Sequence, residues 1–287
     1  MFVFPRVLQV LPLGPNGNFQ EAFNLQLEEP RLIDIAFLHQ QSKPTFCILF
    51  EDNKMGRHLK TYTIDTREKI SSVGSWQQSH VEFSARMLIP VATGGVLVVG
   101  QSTITYFSGG NKSDSYSIGM DHKFVTSYCS LDSQGERYLL GDKHGILSVL
   151  VLLRDVINGA VSGLVLGDLG ETSISERLCH LQGGLVFVGS CFGDSQLVKL
   201  LPSGNGGQGD ENIGDDRQDA EHEREHKQVE VLETYDNIGP ILDMCVVPSE
   251  RLRQSQVVTC SGAYKDGSLR VIKSGIGIRE QVRGEWE

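Results

Sequence analysis

Residues 138–152 read YLLGDKHGILSVLVL: an apolar strand, a turn carrying glycine and aspartate, then a second apolar strand. The pattern returns as VLVVGQSTITYF at 96–107, LVFVGSCFGDSQLVKLL at 185–201 and VVTCSGAYKDGSLRVI at 257–272, with a looser copy, TFCILFEDNKMGRHLKTYTI, at 45–64. The strand-ending Gly100, Gly141 and Gly189 are 41 and 48 residues apart. The next step, to the equivalent Ser261, is 72 residues, and without the 27-residue stretch 202–228 it shrinks to 45. A repeat of this size cannot bury its own apolar face, so neighbouring four-stranded units must stack, which is the architecture of a β-propeller. Extended runs at Leu32–Phe37, Ala85–Val91, Phe124–Leu131 and Ile241–Val247 supply the remaining strands. No segment carries an apolar stripe of helical period and length, so almost no α-helix is expected.

Composition agrees with a globular β protein: 39% hydrophobic residues, 22% charged residues and 32 glycines in 287 residues. The formal net charge of −10 argues against sequence-independent binding to nucleic acid, which needs clustered Lys and Arg. Half of that charge sits in one stretch. Residues 202–228 hold Asp210, Glu211, Asp215, Asp216, Asp219, Glu221, Glu223 and Glu225 against Arg217, Arg224 and Lys227, which reads as a disordered acidic loop inserted into a regular array. The six cysteines (Cys47, Cys129, Cys179, Cys191, Cys245 and Cys260) are scattered through apolar runs without a CxxC pair and read as reduced core residues. The apolar start MFVFPRVLQVLPLG lacks a basic region and a cleavage site, so it reads as a strand and not a signal peptide. No run approaches the ~18 to 20 apolar residues that span a bilayer, no membrane role is expected, and the compartment is expected to be intracellular, with the Asn111 sequon unused.

Two chemical motifs fail on context. His222-Glu223-Arg224-Glu225-His226 is a literal HExxH, but Ala220 is the lone nonpolar residue around it, so no anchored helix can present the imidazoles to zinc, and the expectation is no metal and no cofactor. Gly204, Gly206 and Gly209 match a dinucleotide fingerprint, yet Asp210 and Glu211 follow where a phosphate would sit. Asp65, Asp142, Asp194 and Asp266 fall in or near turns, where the side chain caps nearby amides. His58, His144 and His180 read as strand or turn residues, and Arg137, Arg177 and Arg270 as surface or inter-strand ion pairs. No nucleophile with a nearby base is found, so no enzyme is expected.

The stretch VVTCSGAYKDGSLRVIKSGIGI at 257–278 resembles a signature of the propeller family that includes the large subunit of the UV-damaged-DNA-binding complex, the adaptor of cullin-4 ubiquitin ligases. The likeness extends through EAFNLQLEEPRLIDIAFL (21–38), GRHLKTYTIDTREK (56–69), RYLLGDKHGIL (137–147), LGETSISERLCHL (169–181), VFVGSCFGDSQLVKL (186–200) and NIGPILDMCVV (237–247). The same family holds a subunit of splicing factor 3b and the largest subunit of the cleavage and polyadenylation factor. The residues after Ser268-Leu269-Arg270 and the GDSQLVKL strand point to the damage-binding member.

The resemblance implies a WD40-like, seven-bladed propeller, incomplete, with about five to six blades present. Residues 1–275 would form the first propeller without its opening blades, and 276–287 would begin the junction to a second. The chain then looks like a fragment, a truncated gene model or an alternative product, expected to be marginally stable alone. Gly262, Gly267, Ser268, Leu269, Arg270, Gly275, Ile276 and Gly277 are implied as structural signature residues, with partner contacts unassigned. The implied partners are cullin-4 through the second propeller, WD40-type substrate receptors including the small damaged-DNA-binding subunit, and damaged DNA indirectly, in the nucleus and also the cytoplasm. Rival expectations are an RNA-processing subunit and a metallohydrolase using His222 and His226.

Overall fold

The computed structural model describes residues 2–4, 7–109, 115–201, 228–249 and 254–273. Among them the chain forms six antiparallel meanders. The first sheet holds β1 (Phe2–Phe4), β2 (Val7–Val10) and β3 (Phe23–Gln26). The second holds β4 (Arg31–Phe37), β5 (Thr45–Glu51), β6 (Arg57–Asp65) and β7 (Ile70–Val81). The third follows with β8 (Met87–Pro90), β9 (Val96–Val99), β10 (Thr103–Phe107) and β11 (Ser115–Gly119). The fourth comprises β12 (Val125–Ser130), β13 (Arg137–Asp142), β14 (Ile146–Arg154) and β15 (Val161–Glu171). The fifth comprises β16 (Arg177–His180), β17 (Leu185–Gly189), β18 (Ser195–Leu200) and β19 (Val229–Tyr235). The sixth holds β20 (Ile241–Ser249), β21 (Gln254–Ser261) and β22 (Ser268–Lys273). No α-helix occurs among the described residues, and two 3-10 turns, Gln182–Gly184 and Tyr264–Asp266, complete the elements. These are the blades of a propeller.

Stacking explains why the second strands carry unbroken apolar runs. In β5 every residue but Phe50 is buried, and β9 is buried throughout, because a middle strand is covered by a blade on each side. The outermost strand β7 alternates exposed and half-buried residues instead. Four apolar clusters join the first five blades in succession: Leu8 and Leu25 meet Phe46 and Ile64, Leu49 and Leu59 meet Leu88 and Val98, Leu97 and Ile104 meet Leu140 and Leu150, and Leu139 and Leu147 meet Val186 and Val198. On the sixth blade Leu242, Met244, Val246 and Leu269 remain exposed.

Polar joints tie the blades as well. The Asp34 carboxylate accepts the Leu88 amide at 2.7 Å across the second and third blades, and burial raises its pKa despite the Leu88 and Ile35 amides. Thr126 donates to the Ser175 carbonyl at 2.6 Å, and the Ser127 and Ser175 hydroxyls meet at 2.7 Å. Gly141, one of the repeat markers, lies against that pair, and a Cβ there would overlap Ser175 Oγ. Gly141→Ala is therefore expected to destabilise by about 1–3 kcal/mol in urea unfolding, and Ser175→Ala in the same chain to recover part of the loss. Additive losses in the double variant would refute the clash.

Two carboxylates act as clamps. Glu29, buried before β4, accepts Lys60 Nζ at 2.8 Å and Tyr62 OH at 2.6 Å on one oxygen, while its other oxygen is buried without a partner among the described residues. Glu82 takes the amides of Gln101, Ser102 and Thr103 at 2.9 to 3.0 Å, the Thr103 hydroxyl at 2.6 Å and the Ser84 hydroxyl, closing the turn between β9 and β10. The marker Gly100 leaves the space that this carboxylate fills. At the far side of the fifth blade Leu200 pairs with Val229 and the Leu201 amide reaches the Gln228 carbonyl at 2.8 Å, so the ladder closes across residues 202–227, which are outside the described set.

The expected reduced state of the cysteines agrees with the structure, but their expected burial needs correction. All six are free, yet only Cys47 is buried, Cys129 is half-buried, and Cys179, Cys191, Cys245 and Cys260 are exposed. Cys191 sits in a turn, and Cys245 and Cys260 lie on the sixth blade. An apolar run gives burial only where both strand faces are covered.

Candidate partner-binding site

Along one face of the array the turns after the second strands of the fourth, fifth and sixth blades converge. Lys143 and His144 come from the fourth blade, Phe192 from the fifth, and Tyr264 and Lys265 from the sixth. With Phe124, Thr126 and Ile174 they line an open cavity of about 580 Å³. Counted from the markers Gly141, Gly189 and Ser261, the third residue onward is His144, Phe192 and Tyr264. Aligning the repeats would have exposed this signal, which the sequence reading missed.

The walls are built by close backbone approach. Gly262 has φ +77°, and a Cβ there would overlap the Asp266 carbonyl and press on that of Phe192. The bare backbone lets Ala263 N donate to Phe192 O at 2.9 Å. Asp266 accepts the Ile174 amide at 2.9 Å, and Lys265 Nζ bridges Glu171 Oε1 and the Thr172 carbonyl, both at 2.7 Å. Tyr264 adopts φ +55°, uncommon for a side chain of its size, and stands 80% exposed with its ring edge-on to Phe192 at 5.3 Å. Two cations lie over the Phe124 ring, the Arg86 guanidinium at 3.7 Å and Lys143 Nζ at 5.3 Å from its centre.

Arg270 reaches back to the fifth blade, where its Nη2 donates to both Asp194 oxygens at 2.6 and 2.7 Å and its Nη1 to Asp236 Oδ1 at 3.4 Å. Partial burial works the other way, but the Arg270 guanidinium and the Asn237 amide hold the Asp194 carboxyl below its ordinary range. Gly267 and Ser268 close the same hairpin, where Ser268 Oγ accepts Arg270 Nε at 3.0 Å, and Leu269 is exposed beside it. Gly275, Ile276, Gly277, the glycines at 204, 206 and 209, the sequon at Asn111 and the HExxH residues His222, Glu223 and His226 lie outside the described residues.

The turn aspartates divide into two kinds. Asp65 and Asp142 cap amides within their own turns, but Asp194 and Asp266 reach across blades. Arg137 pairs with Asp132 and Arg177 with Glu176. His58 lies on β6 with Nε2 3.1 Å from Asp52, His144 in a turn, and His180 ends β16. Among the described residues no group of three or more His, Cys, Asp or Glu is placed to hold a metal, and no helix is long and apolar enough to cross a membrane. The arrangement offers aromatic faces, cations and shaped backbone for holding a partner.

Residues 7–236 match the family described as the RSE1/DDB1/CPSF1 first β-propeller. The chain is 43% identical over 289 residues to DNA damage-binding protein 1 of Oryza sativa subsp. japonica, covering 100% of this chain and 24% of that protein. It is 41% identical over 295 residues to DNA damage-binding protein 1 of Solanum lycopersicum, and 40% identical over 295 residues to DNA damage-binding protein 1b of Arabidopsis thaliana, each match covering 100% of this chain and 25% of the relative. The chain thus spans about a quarter of the length of these relatives.

Proposed function

Because the chain belongs to the RSE1/DDB1/CPSF1 first β-propeller family, we propose that it is a docking propeller of a cullin-4 ubiquitin-ligase adaptor that serves recognition and excision repair of damaged DNA. The observation that carries this reading is the whole-chain likeness to relatives named DNA damage-binding protein 1. In it the aromatic cavity receives a segment of a WD40-type substrate receptor, the small damaged-DNA-binding subunit among them. Damaged DNA is met through that receptor, in keeping with the net charge of −10. Cullin-4 is held by a second propeller of the whole protein, in the nucleus and also the cytoplasm. The work is positioning: ligase and substrate held together react at high effective concentration, without a catalytic group on this chain.

The whole protein carrying this chain, affinity-purified from cells after cross-linking, should recover cullin-4 and WD40-type receptors. Recovery of spliceosomal or polyadenylation proteins in their place would move it to the other branch of the family. Tyr264→Asp in that protein should weaken receptor capture roughly tenfold and leave cullin-4 capture unchanged. Equal loss of both would mean that the cavity is not the docking surface.

A further inference from the structure

The turn joining β14 to β15 presents the most exposed apolar side chains described: Val156 is 100% and Ile157 95% exposed. The turn is tightly bonded. Asp155 N donates to Ala160 O at 2.8 Å and Gly159 N to Asp155 O at 2.9 Å. The Asp155 carboxylate takes the Ile157 amide at 2.7 Å, the Asn158 side chain takes the Ala160 amide at 2.9 Å, and Arg154 donates to the Gly159 carbonyl at 2.9 Å while also bonding Glu136 and Thr93. A rigid tip that holds two branched aliphatic residues in water has already met the entropic cost of ordering them for contact.

β14 starts at the cavity face, beside Lys143 and His144, and runs nine residues to the opposite face. The tip therefore stands roughly 30 Å from the cavity of its own molecule and cannot fill it. The two are chemically matched: Val156 and Ile157 against walls of Phe124, Ile174, Phe192 and Tyr264, and the acidic Asp155 against Lys143, whose ammonium lies over the Phe124 ring and has no carboxylate partner among the described residues. A bilayer is a poorer match, because a chain of net charge −10 is repelled by anionic lipid. Two side chains cover far less than the ~800 Å² per partner of a standard interface, so they suit a plug in a formed pocket and not a flat dimer.

We propose that Val156 and Ile157 plug the aromatic cavity of a second copy, joining copies head to tail. The contact is heterologous, so it can propagate, and its small area makes it weak and dependent on concentration. It does not rest on the docking of receptors, and a receptor segment in the cavity would compete with it.

The test is sedimentation velocity of the full chain across a wide concentration range, with two surface variants that leave the core intact: Val156→Ser with Ile157→Ser, which lacks the plug, and Lys143→Glu with Tyr264→Ser, which spoils the cavity. Each alone should weaken self-association roughly tenfold or more. Mixed in equal amounts, they should form a capped pair and no longer chain, since one brings a cavity and the other a plug. A monomer at every concentration, association unchanged in both variants, or a mixture that fails to pair would overturn the proposal. So would flotation of the parent chain, lost in the plug variant, with phosphatidylcholine–phosphatidylserine vesicles.

Discussion

Lys60→Met is expected to destabilise the chain by about 3–5 kcal/mol, because it strips the buried Glu29 of its cation and leaves a carboxylate in the interior. In calorimetry that is a fall in Tm on the order of 10 °C. Burial pushes the Glu29 carboxyl up, but Lys60 and Tyr62 together hold it below its ordinary value. Burial likewise opposes the charge on Lys60, yet Glu29 and Tyr62 raise that group to about 12, and burial with Glu29 raises Tyr62 to about 12.

The signs set the pH window. A depressed carboxyl contributes stability that is present above its unfolded value and lost as pH falls through its folded one. The raised Tyr62 and Lys60 contribute stability that is full below their unfolded values of 10.0 and 10.5 and lost as pH rises through about 12. In Lys60→Met the unpaired Glu29 takes up a proton more readily, so the gap from the parent should narrow on acidification. A gap that widens towards acid pH would mean that Glu29 is not the group left stranded.

Glu82→Ala is expected to cost roughly 3 kcal/mol, since three amides and the Thr103 hydroxyl lose one shared acceptor. Partial burial opposes its charge, but the Ser84 and Thr103 hydroxyls and the Ser102 and Thr103 amides depress the carboxyl below 4.5. Its contribution is therefore present above that value and lost as pH falls through the folded pKa, so the variant should show a flatter acid limb. Hydrogen exchange localises the effect: the amides of Gln101, Ser102 and Thr103 should exchange faster in the variant, while those of β13 keep their protection. Unchanged exchange at these amides would dismiss the clamp.

The repeat was legible because strand-turn-strand units with marker glycines at Gly100 and Gly141 follow from local rules, and the strands fall where the apolar runs placed them. The side-chain partnerships were not. Asp194 and Arg270 are 76 residues apart, and Asp266 and Ile174 are 92 apart. Period alone says that blades stack, but which carboxylate meets which amide depends on the rotation between blades. The cysteines failed for a related reason: polarity of the run cannot say whether the neighbouring face is covered. The cavity was half legible, in the recurring third position after Gly141, Gly189 and Ser261, but Phe124 enters from a connector that the repeat does not align.

The pairing of Leu200 with Val229 has a practical corollary. Leu201 and Gln228, which flank residues 202–227, are held side by side by the ladder itself, so a longer connection between them costs only ~0.6 kcal/mol per doubling of its length. The Gln228 amide also donates to the Leu169 carbonyl at 2.9 Å, so the joint is anchored to the fourth blade as well. It is a ready graft point, where a fluorescent domain could be spliced in as a reporter without altering a residue that lines the aromatic cavity.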